Sequence, residues 1–535
     1  MSITYLQSTS QVLPSRQPRP SYAVERWLDI ATVVGLLTVT GIVTGWGLNH
    51  YPALNGDEGI YTSQARAILH GSIAPYTYTY DHPFFGWLQI SVLAAITQMI
   101  HLGGNLSVIN DRYVMLGYAL ANTGLLYGIA RRLQFNRIIS TVTVALFALS
   151  PLTIDLARQV YLDNIAVPWA TFAVFLLLNP KRSQWVYASA GAAFAIGVLS
   201  KETVLLYLPG LVYLLVQRTD QRLRTMCYTA FGAIFSLGVL IYPLFALLRN
   251  ELLPGKGHVS LWTNGVMYQL SSRSGSGALW LKGTARDQLW DGWMTFDKVL
   301  IVSGCIAAVF ALTIKAMRPF VLMLVCVMAP IVKPGGYLPA MYIIAALPLC
   351  ALLVGGVLSG AWSKLERMAN TRRSRWDLIP LTVGVAVFAV LVGGLVCYAG
   401  EHYSSGDQPL LTTNAVAPYA ETEAWIARNV APATINGKLV VQNVLTDDAF
   451  STDLYRMGLG PWQAVSYYKY DLDPTAAKKL PGGYHDIAYI IDTPQMRSDI
   501  TTQHLVKTEA AIQHSTLVAT FGDSDSRIQI LQVNP

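Results

Sequence analysis

Residues 28–59 read LDIATVVGLLTVTGIVTGWGLNHYPALNGDEG. An apolar run of this length matches the roughly 20 residues that a helix needs to cross a bilayer. It ends in a turn-forming stretch carrying two adjacent carboxylates, Asp57 and Glu58. Similar runs recur at 84–102, 112–130, 138–154, 162–179, 184–199, 203–217, 226–248, 298–316, 319–332, 338–359 and 378–399. Composition agrees: 53% of the 535 residues are hydrophobic and only 13% are charged, against about 25% charged in a soluble globular domain. Most of this chain lies in lipid. Cytosolic and secreted enzymes are excluded, and so is a single-pass receptor. Continuous rather than alternating runs exclude a transmembrane β-barrel. The five cysteines (Cys227, Cys305, Cys326, Cys350, Cys397) fall inside apolar runs and form no CxxC, which indicates neither disulfides nor a thiolate metal site.

Charge sets the topology. Lys and Arg number 38 and Asp and Glu 31, a net +7. In a membrane protein such an excess belongs to inside loops rather than to nucleic-acid binding. If all twelve runs crossed, Arg131, Arg132 and Arg137 would share a side with the acidic loop 49–83, against the positive-inside rule. The run 84–102 is interrupted by Gln89, Ser91, Gln98 and His101, so it reads instead as an outer interfacial segment. Every short basic loop then becomes cytoplasmic: Arg16/Arg19/Arg26, Arg131/Arg132/Arg137, Lys181/Arg182, Arg218/Arg222/Arg224, Lys315/Arg318 and Lys364/Arg367/Arg372/Arg373/Arg375.

Eleven spans result, with the N-terminus inside and the C-terminus outside. The polar residues ahead of the first run make 1–27 a cytoplasmic tail rather than a cleavable signal. Residues 28–399 form the transmembrane domain, with outer loops 49–111, 155–162 and 249–297. From about 400 charges and turns return, with strands expected at 438–444, 487–492 and 527–533 and helices at 421–430 and 505–515. The expected fold class is an all-α polytopic membrane protein of about eleven transmembrane helices, with a small extracytoplasmic α/β domain at 400–535. No internal repeat stands out.

The chemistry sits in the outer loops. Two adjacent carboxylates at a membrane face, Asp57 and Glu58, can bind a metal or act as a general base toward a hydroxyl. They can equally cap a helix that ends near His70 with Gly71 behind it. Tyr80, Asp81 and His82 precede Pro83 and can contact a phosphate or a metal, or form a polar turn. Asp155, Arg158, Tyr161, Asp163 and Asn164 make a third cluster, in which Arg158 can pair with Asp155 and Asp163 can cap the next helix. Lys201 and Glu202 stand between two apolar runs, as a self-neutralising pair or as functional charges. In 249–297, Lys256, His258, Arg273 and Arg286 lie among Gly and Ser, as a phosphate clamp or as a solvated face. Asp57, Asp81 and His258 are the candidates for a divalent metal. Phosphate loops of the GxxxxGK[ST] and strand-linked GxGxxG kinds are absent.

The order of these features resembles a known family. Asp57-Glu58 after the first span, Arg66 on the following helix and then Tyr80-Asp81-His82-Pro83 resemble the first outer loop of the GT-C membrane glycosyltransferases, in the branch of protein O-mannosyltransferases and the lipid A aminoarabinose transferase. Ser150-Pro151, Ala157-Arg158 and Leu162-Asp163 resemble that branch's second acidic motif. Leu289-Trp290-Asp291-Gly292-Trp293 is only a remnant of the WWDYG signature of the oligosaccharyltransferase branch. The resemblance implies a GT-C fold, a polyprenyl-phosphate sugar donor, and an acceptor hydroxyl on lipid, protein or cell-wall glycan. It implies Asp57 as catalytic base and Asp163 as second acid, with Glu58 or Asp163 orienting the acceptor and inversion at the sugar. Arg66, Tyr80, Asp81, His82, Arg158, Lys201, Glu202, His258 and Arg273 are the candidate substrate-binding residues. His82 departs from the pattern, standing where relatives carry a Lys. The alternatives are a ligase or polymerase using a diphosphate-linked donor, and a lipid transporter without chemistry, although the inverted repeats of transporters are missing.

The topology is testable. With Asp57 and Asp447 outside and Arg132 and Lys364 cytoplasmic, single cysteines at 132 and 364 should be shielded from an impermeant reagent added outside. Outside labelling at 132 would overturn the eleven-span arrangement.

Overall fold

The computed structural model describes residues 22–534 except 100–105, 181–182, 274, 372–377, 431–432, 436–437, 441 and 525. Arg16, Arg19, His101, Lys181, Arg182, Ser274, Arg372, Arg373 and Arg375 therefore lie outside the described residues. Helices dominate as far as residue 412: α1 (Tyr22–Gly45), α2 (Gly56–Leu69), α3 (Phe85–Met99), α4 (Ser107–Arg132), α5 (Arg137–Ala148), α6 (Pro151–Arg158), α7 (Leu162–Leu177), α8 (Gln184–Ser200), α9 (Leu208–Arg218), α10 (Arg224–Val239), α11 (Ile241–Leu248), α12 (Ala285–Ala311), α13 (Arg318–Val332), α14 (Leu347–Thr371) and α15 (Leu378–Thr412). The core runs along α4, α7 and α8, where α8 packs between α7 and α10, and α14 lies against α5 and α12.

Among the described residues six helical stretches are long and apolar enough to cross a membrane, seven when α5 and α6, bent by 57°, count as one. The eleven spans expected from the sequence remain a proposal. The difference arises because breaks inside apolar runs shorten the helices. A 3-10 turn at Glu202–Tyr207 precedes α9, another at Ala340–Ala345 precedes α14, and α3, α7, α8 and α13 are apolar but short. The polar residues that suggested an interface in 84–102 are partly internal. Gln89 donates to Ser200 Oγ at 2.7 Å and accepts from Tyr118 Oη at 2.9 Å and Trp169 Nε1 at 2.7 Å, tying α3 to α4, α7 and α8.

The last long helix runs to Thr412, so the C-terminal unit starts later than the expected residue 400. It contains α16 (Ala417–Asn429), a small hairpin of β1 (Ala433–Ile435) and β2 (Lys438–Val440), then β3 (Val444–Thr446), α17 (Asp448–Arg456), β4 (Ala464–Ser466), α18 (Tyr467–Leu472), a short turn α19 (Ala476–Lys479), β5 (Tyr489–Asp492), α20 (Pro494–Gln503), α21 (Val506–Gln513), β6 (Ser515–Phe521) and β7 (Ile528–Val533). The expected strand at 438–444 is thus two elements, a hairpin arm and the separate strand β3. The sheet order is β4-β3-β5-β7-β6, with β3 parallel to β4 and β5, and β7 antiparallel to β5 and β6. Leu289–Trp293, the WWDYG-like stretch, is simply part of α12.

The two units meet at α2 and α17. Gly59 makes that contact possible: a Cβ there would lie 2.1 Å from the Asp448 backbone carbonyl carbon. Gly59→Ala would ordinarily stabilise a helix by up to about 1 kcal/mol, but overpacking of this kind costs about 1–3 kcal/mol. Gly59→Ala should therefore lower Tm and raise protease sensitivity in the C-terminal unit. A Tm at or above wild type would show that the two helices do not pack so closely.

Candidate active site

The loop after α1 turns into α2 through a capping box. Asn55 is the N-cap, its Oδ1 accepting from Glu58 N at 3.1 Å while Glu58 Oε2 accepts from Asn55 N at 3.4 Å. The cap is therefore Asn55 and not Asp57, and the helix ends as expected at His70, with Gly71 at φ +80. Glu58 also departs from expectation. It is fully buried, its Oε1 accepting from Arg112 Nε and Val160 N, each at 2.9 Å, and its Oε2 from Arg112 Nη2 at 2.7 Å. With both oxygens occupied, Glu58 holds the loop in place and is not carried forward as a catalytic group.

Asp57 faces the other way. It is half-buried and has no hydrogen-bond partner among the described residues. Burial raises its carboxyl pKa above the ordinary value, and the charges of Lys201 and Arg273 pull it back down. Lys201, Arg273 and His82 come from separate elements. Lys201 caps the C-terminal end of α8, His82 precedes α3, and Arg273 ends the helical segment Leu261–Ser272.

His82 joins Lys201 to Glu202. Lys201 Nζ lies 2.7 Å from His82 Nε2, and His82 Nδ1 lies 2.9 Å from Glu202 Oε1. An ammonium can only donate, so Nε2 accepts, and Nδ1 carries the proton given to Glu202. Burial would raise the Glu202 carboxyl, and the hydrogen bond from His82 and the charge of Lys201 lower it. The expected Lys201–Glu202 pair is thus a three-membered chain. Lys201 Nζ also stands 5.9 Å above the Tyr61 ring. Asp163, 1% exposed, accepts from Thr203 Oγ1 at 3.0 Å through Oδ1, and its Oδ2 has no partner. Arg273 stacks 3.4 Å over the Tyr337 ring and donates to Gln269 Oε1 at 3.0 Å. From the C-terminal unit, Asp499 on α20 adds a charge that opposes ionisation of Asp57, and Tyr467 donates to its Oδ2 at 2.5 Å.

Several expected ligands lie elsewhere. Arg158 is completely buried and donates to the carbonyls of Val43, Thr44, Trp46 and Leu410, stapling the end of α1. It does not pair with Asp155 by hydrogen bond. Arg286 does the same for α13, through Pro330, Ile331, Gly335 and Gly336, beside Tyr337. Arg66 is nine residues along α2 from Asp57, about 13 Å, against Arg456 and Asp453. The Tyr80 hydroxyl bonds Glu251, itself paired with Arg249. His258 is exposed and contacts its own neighbour Val259. Asp81 lines an adjoining pocket. Among the described residues no three His, Cys, Asp or Glu side chains converge as a metal site, so Asp57, Asp81 and His258 form none. Sequence reading missed Tyr61, Thr203, Tyr337, Asp499 and Arg112; only Arg112, an ionisable residue at the start of an apolar run, carried a signal.

The family model for dolichyl-phosphate-mannose-protein mannosyltransferase matches residues 81–245. The fold superposes on that of ArnT from Cupriavidus metallidurans bound to undecaprenyl phosphate with TM-score 0.54, at 14% identity over 96% of this chain and 98% of that one. It also superposes on the oligosaccharyltransferase of Archaeoglobus fulgidus with TM-score 0.55, at 12% identity over 92% and 73%. The chain as a whole therefore has the fold of the GT-C membrane enzymes, and its residues 81–245 match the mannosyltransferase family. Comparison with curated protein sequences gives no match.

Lys201 is the strongest influence lowering the Asp57 carboxyl. Lys201→Met should therefore move the carbodiimide-labelling profile of Asp57 to higher pH, because the carboxyl stays protonated longer. An unmoved profile would mean that Lys201 does not act on Asp57.

Proposed function

We propose that this GT-C enzyme transfers a sugar from a polyprenyl-phosphate donor to an acceptor hydroxyl on the outer face of the membrane, with inversion, and that Asp57 is its general base. The observation that carries the reading is convergence: a carboxylate free of hydrogen-bond partners faces Lys201, Arg273 and His82. A raised pKa makes Asp57 a better proton acceptor near neutral pH. It takes the acceptor's proton as the hydroxyl oxygen bonds to the anomeric carbon. The bond from that carbon to the phosphate oxygen breaks, and polyprenyl phosphate leaves with the electron pair. Negative charge then grows where Arg273 and Lys201 stand, and fixed cations in a poorly hydrated site stabilise it more than water would. Asp163, with one unpartnered oxygen, orients the incoming groups. A lipid-linked donor cannot leave the bilayer, which suits a site at the end of a helical bundle. This reading keeps the outer loops and the C-terminal unit on one side of the membrane, as the charge pattern requires.

Asp57→Asn tests the base. Loss of general-base catalysis should slow transfer by roughly 10²–10⁴-fold, with donor binding retained. The cap is Asn55, so only the interaction of the first-turn charge with the helix dipole is lost, at most about 1 kcal/mol. Turnover close to wild type would remove Asp57 from the chemistry.

A further inference from the structure

The helical segment that leads into Arg273 presents an apolar strip to the outside of the molecule. Residues 260–272 read SLWTNGVMYQLSS and carry no charged side chain, and Leu261–Ser272 is wound as a π-helix. In a helix closed by i→i+5 bonds, residues four and five apart are neighbours on its surface. Trp262, Val266, Met267 and Leu270 are spaced in that way. Trp262 is 50% exposed and Leu270 79%, with Met267 exposed between them. A surface helix facing water carries charged or polar side chains on its outer face, and an exposed apolar patch marks a contact with lipid or with another protein.

Both ends of the segment are fastened where apolar helices end. At its start, Leu261 N and Trp262 N donate to Glu251 O and Leu252 O at 2.8 and 3.2 Å, just past the end of α11. In the middle Gly265 packs it on Tyr80, where a Cβ would lie 2.8 Å from the carbonyl oxygen, and that oxygen also accepts from Tyr242 Oη on α11 at 3.1 Å. At its far end Arg273 stacks on Tyr337, and Ser276 N donates to Gly336 O at 2.9 Å, just past the end of α13. With α10, α11 belongs to one of the stretches long and apolar enough to cross a membrane, and its Leu244, Leu247 and Leu248 are exposed. The strip therefore continues a lipid-facing surface at the level where that surface stops. Trp and Leu are the side chains that helices lying in a membrane interface bury there.

We infer that Trp262, Met267 and Leu270 are seated in the surface of the bilayer on the side of the active site. Lipid rather than water covers this part of the loop 249–297, and the membrane sets the depth at which Arg273 is held. On the transfer reading above, that depth is the level of a lipid-linked phosphate; the membrane contact itself is measured without turnover.

Spin labels on the full-length protein in nanodiscs of a zwitterionic phospholipid test the contact. Single cysteines are introduced in a background lacking the five native ones, and each label is power-saturated with oxygen, which concentrates in lipid, and with a nickel chelate, which stays in water. Labels at 267 and 270 should give an oxygen-to-chelate accessibility ratio several-fold above that at Lys256, which is exposed in the turn between Gly255 and His258. Their ratio should approach that at Leu247 on α11, the lipid-facing reference. A ratio equal to that at 256 would overturn the inference and leave a solvated loop. Shielding from both reagents would overturn it by placing protein against the strip. A lipid-like ratio that appears only when polyprenyl phosphate is added would overturn it by giving the strip to the donor's chain. Full turnover in Asp57→Asn would remove the proposed base and leave these ratios as they are.

Discussion

The buried pair between Glu58 and Arg112 governs the arrangement of this site. Both side chains are fully buried, and losing one partner of such a pair costs about 3–5 kcal/mol. Arg112 also donates to Pro52 O at 2.8 Å and Ala53 O at 3.2 Å, so one guanidinium on α4 fixes the whole descent from α1 into α2. Glu58 in turn holds Val160 N, which fixes the link between α6 and α7 where Asp163 begins. Successive helix residues are turned by about 100°. Once Glu58 is locked toward Arg112, Asp57 must face the cleft. The two adjacent carboxylates therefore have different surroundings, one bound on both oxygens and the other without a hydrogen-bond partner among the described residues.

Two further arginines show the same physics at helix ends. The last carbonyls of a helix have no internal partners, and a buried guanidinium with several donors can satisfy them together. Arg158 does so for α1 and Arg286 for α13. The second matters to the site indirectly, because it steadies the Gly335–Gly336 turn before Tyr337, the ring on which Arg273 stacks. Arg273 is thereby oriented by stacking rather than by an acid, which leaves its charge for an incoming anion.

These particulars show how far the sequence could be read. Apolar runs were enough for a polytopic helical protein with a small C-terminal α/β unit, because burial in lipid leaves a compositional trace. The convergence of Asp57 with Lys201, His82 and Arg273 was legible only as the order of separate motifs. Nothing in the sequence says that His82 stands between Lys201 and Glu202, since that chain closes across 120 residues. The structure places the cationic candidates Arg66, Arg158 and His258 apart from Asp57, which the sequence could not show because a charge in a loop looks the same whether it faces a ligand or a backbone carbonyl. Breaks such as the 57° bend between α5 and α6 were hidden because apolar residues continue through them. The end of the last long helix was misjudged for the opposite reason, since polar residues 400–412 continue a helix that has left the apolar region.

The electrostatics couple donor and base on the proposed reading. Without a ligand, Lys201 and Arg273 lower the Asp57 carboxyl, whereas burial and Asp499 raise it. A donor phosphate seated against those cations offsets part of their charge, so Asp57 loses some of what favours its ionised form. Its pKa then rises further, and it accepts a proton more readily when a donor is present. Glu202, lowered by the His82 hydrogen bond and by Lys201, accepts from Nδ1 and keeps His82 in the tautomer that accepts from Lys201. The Lys201–His82–Glu202 chain thus fixes the cation's position, and the phosphate's arrival strengthens the base. Such a site is best able to remove a proton from an acceptor hydroxyl once there is a sugar to transfer.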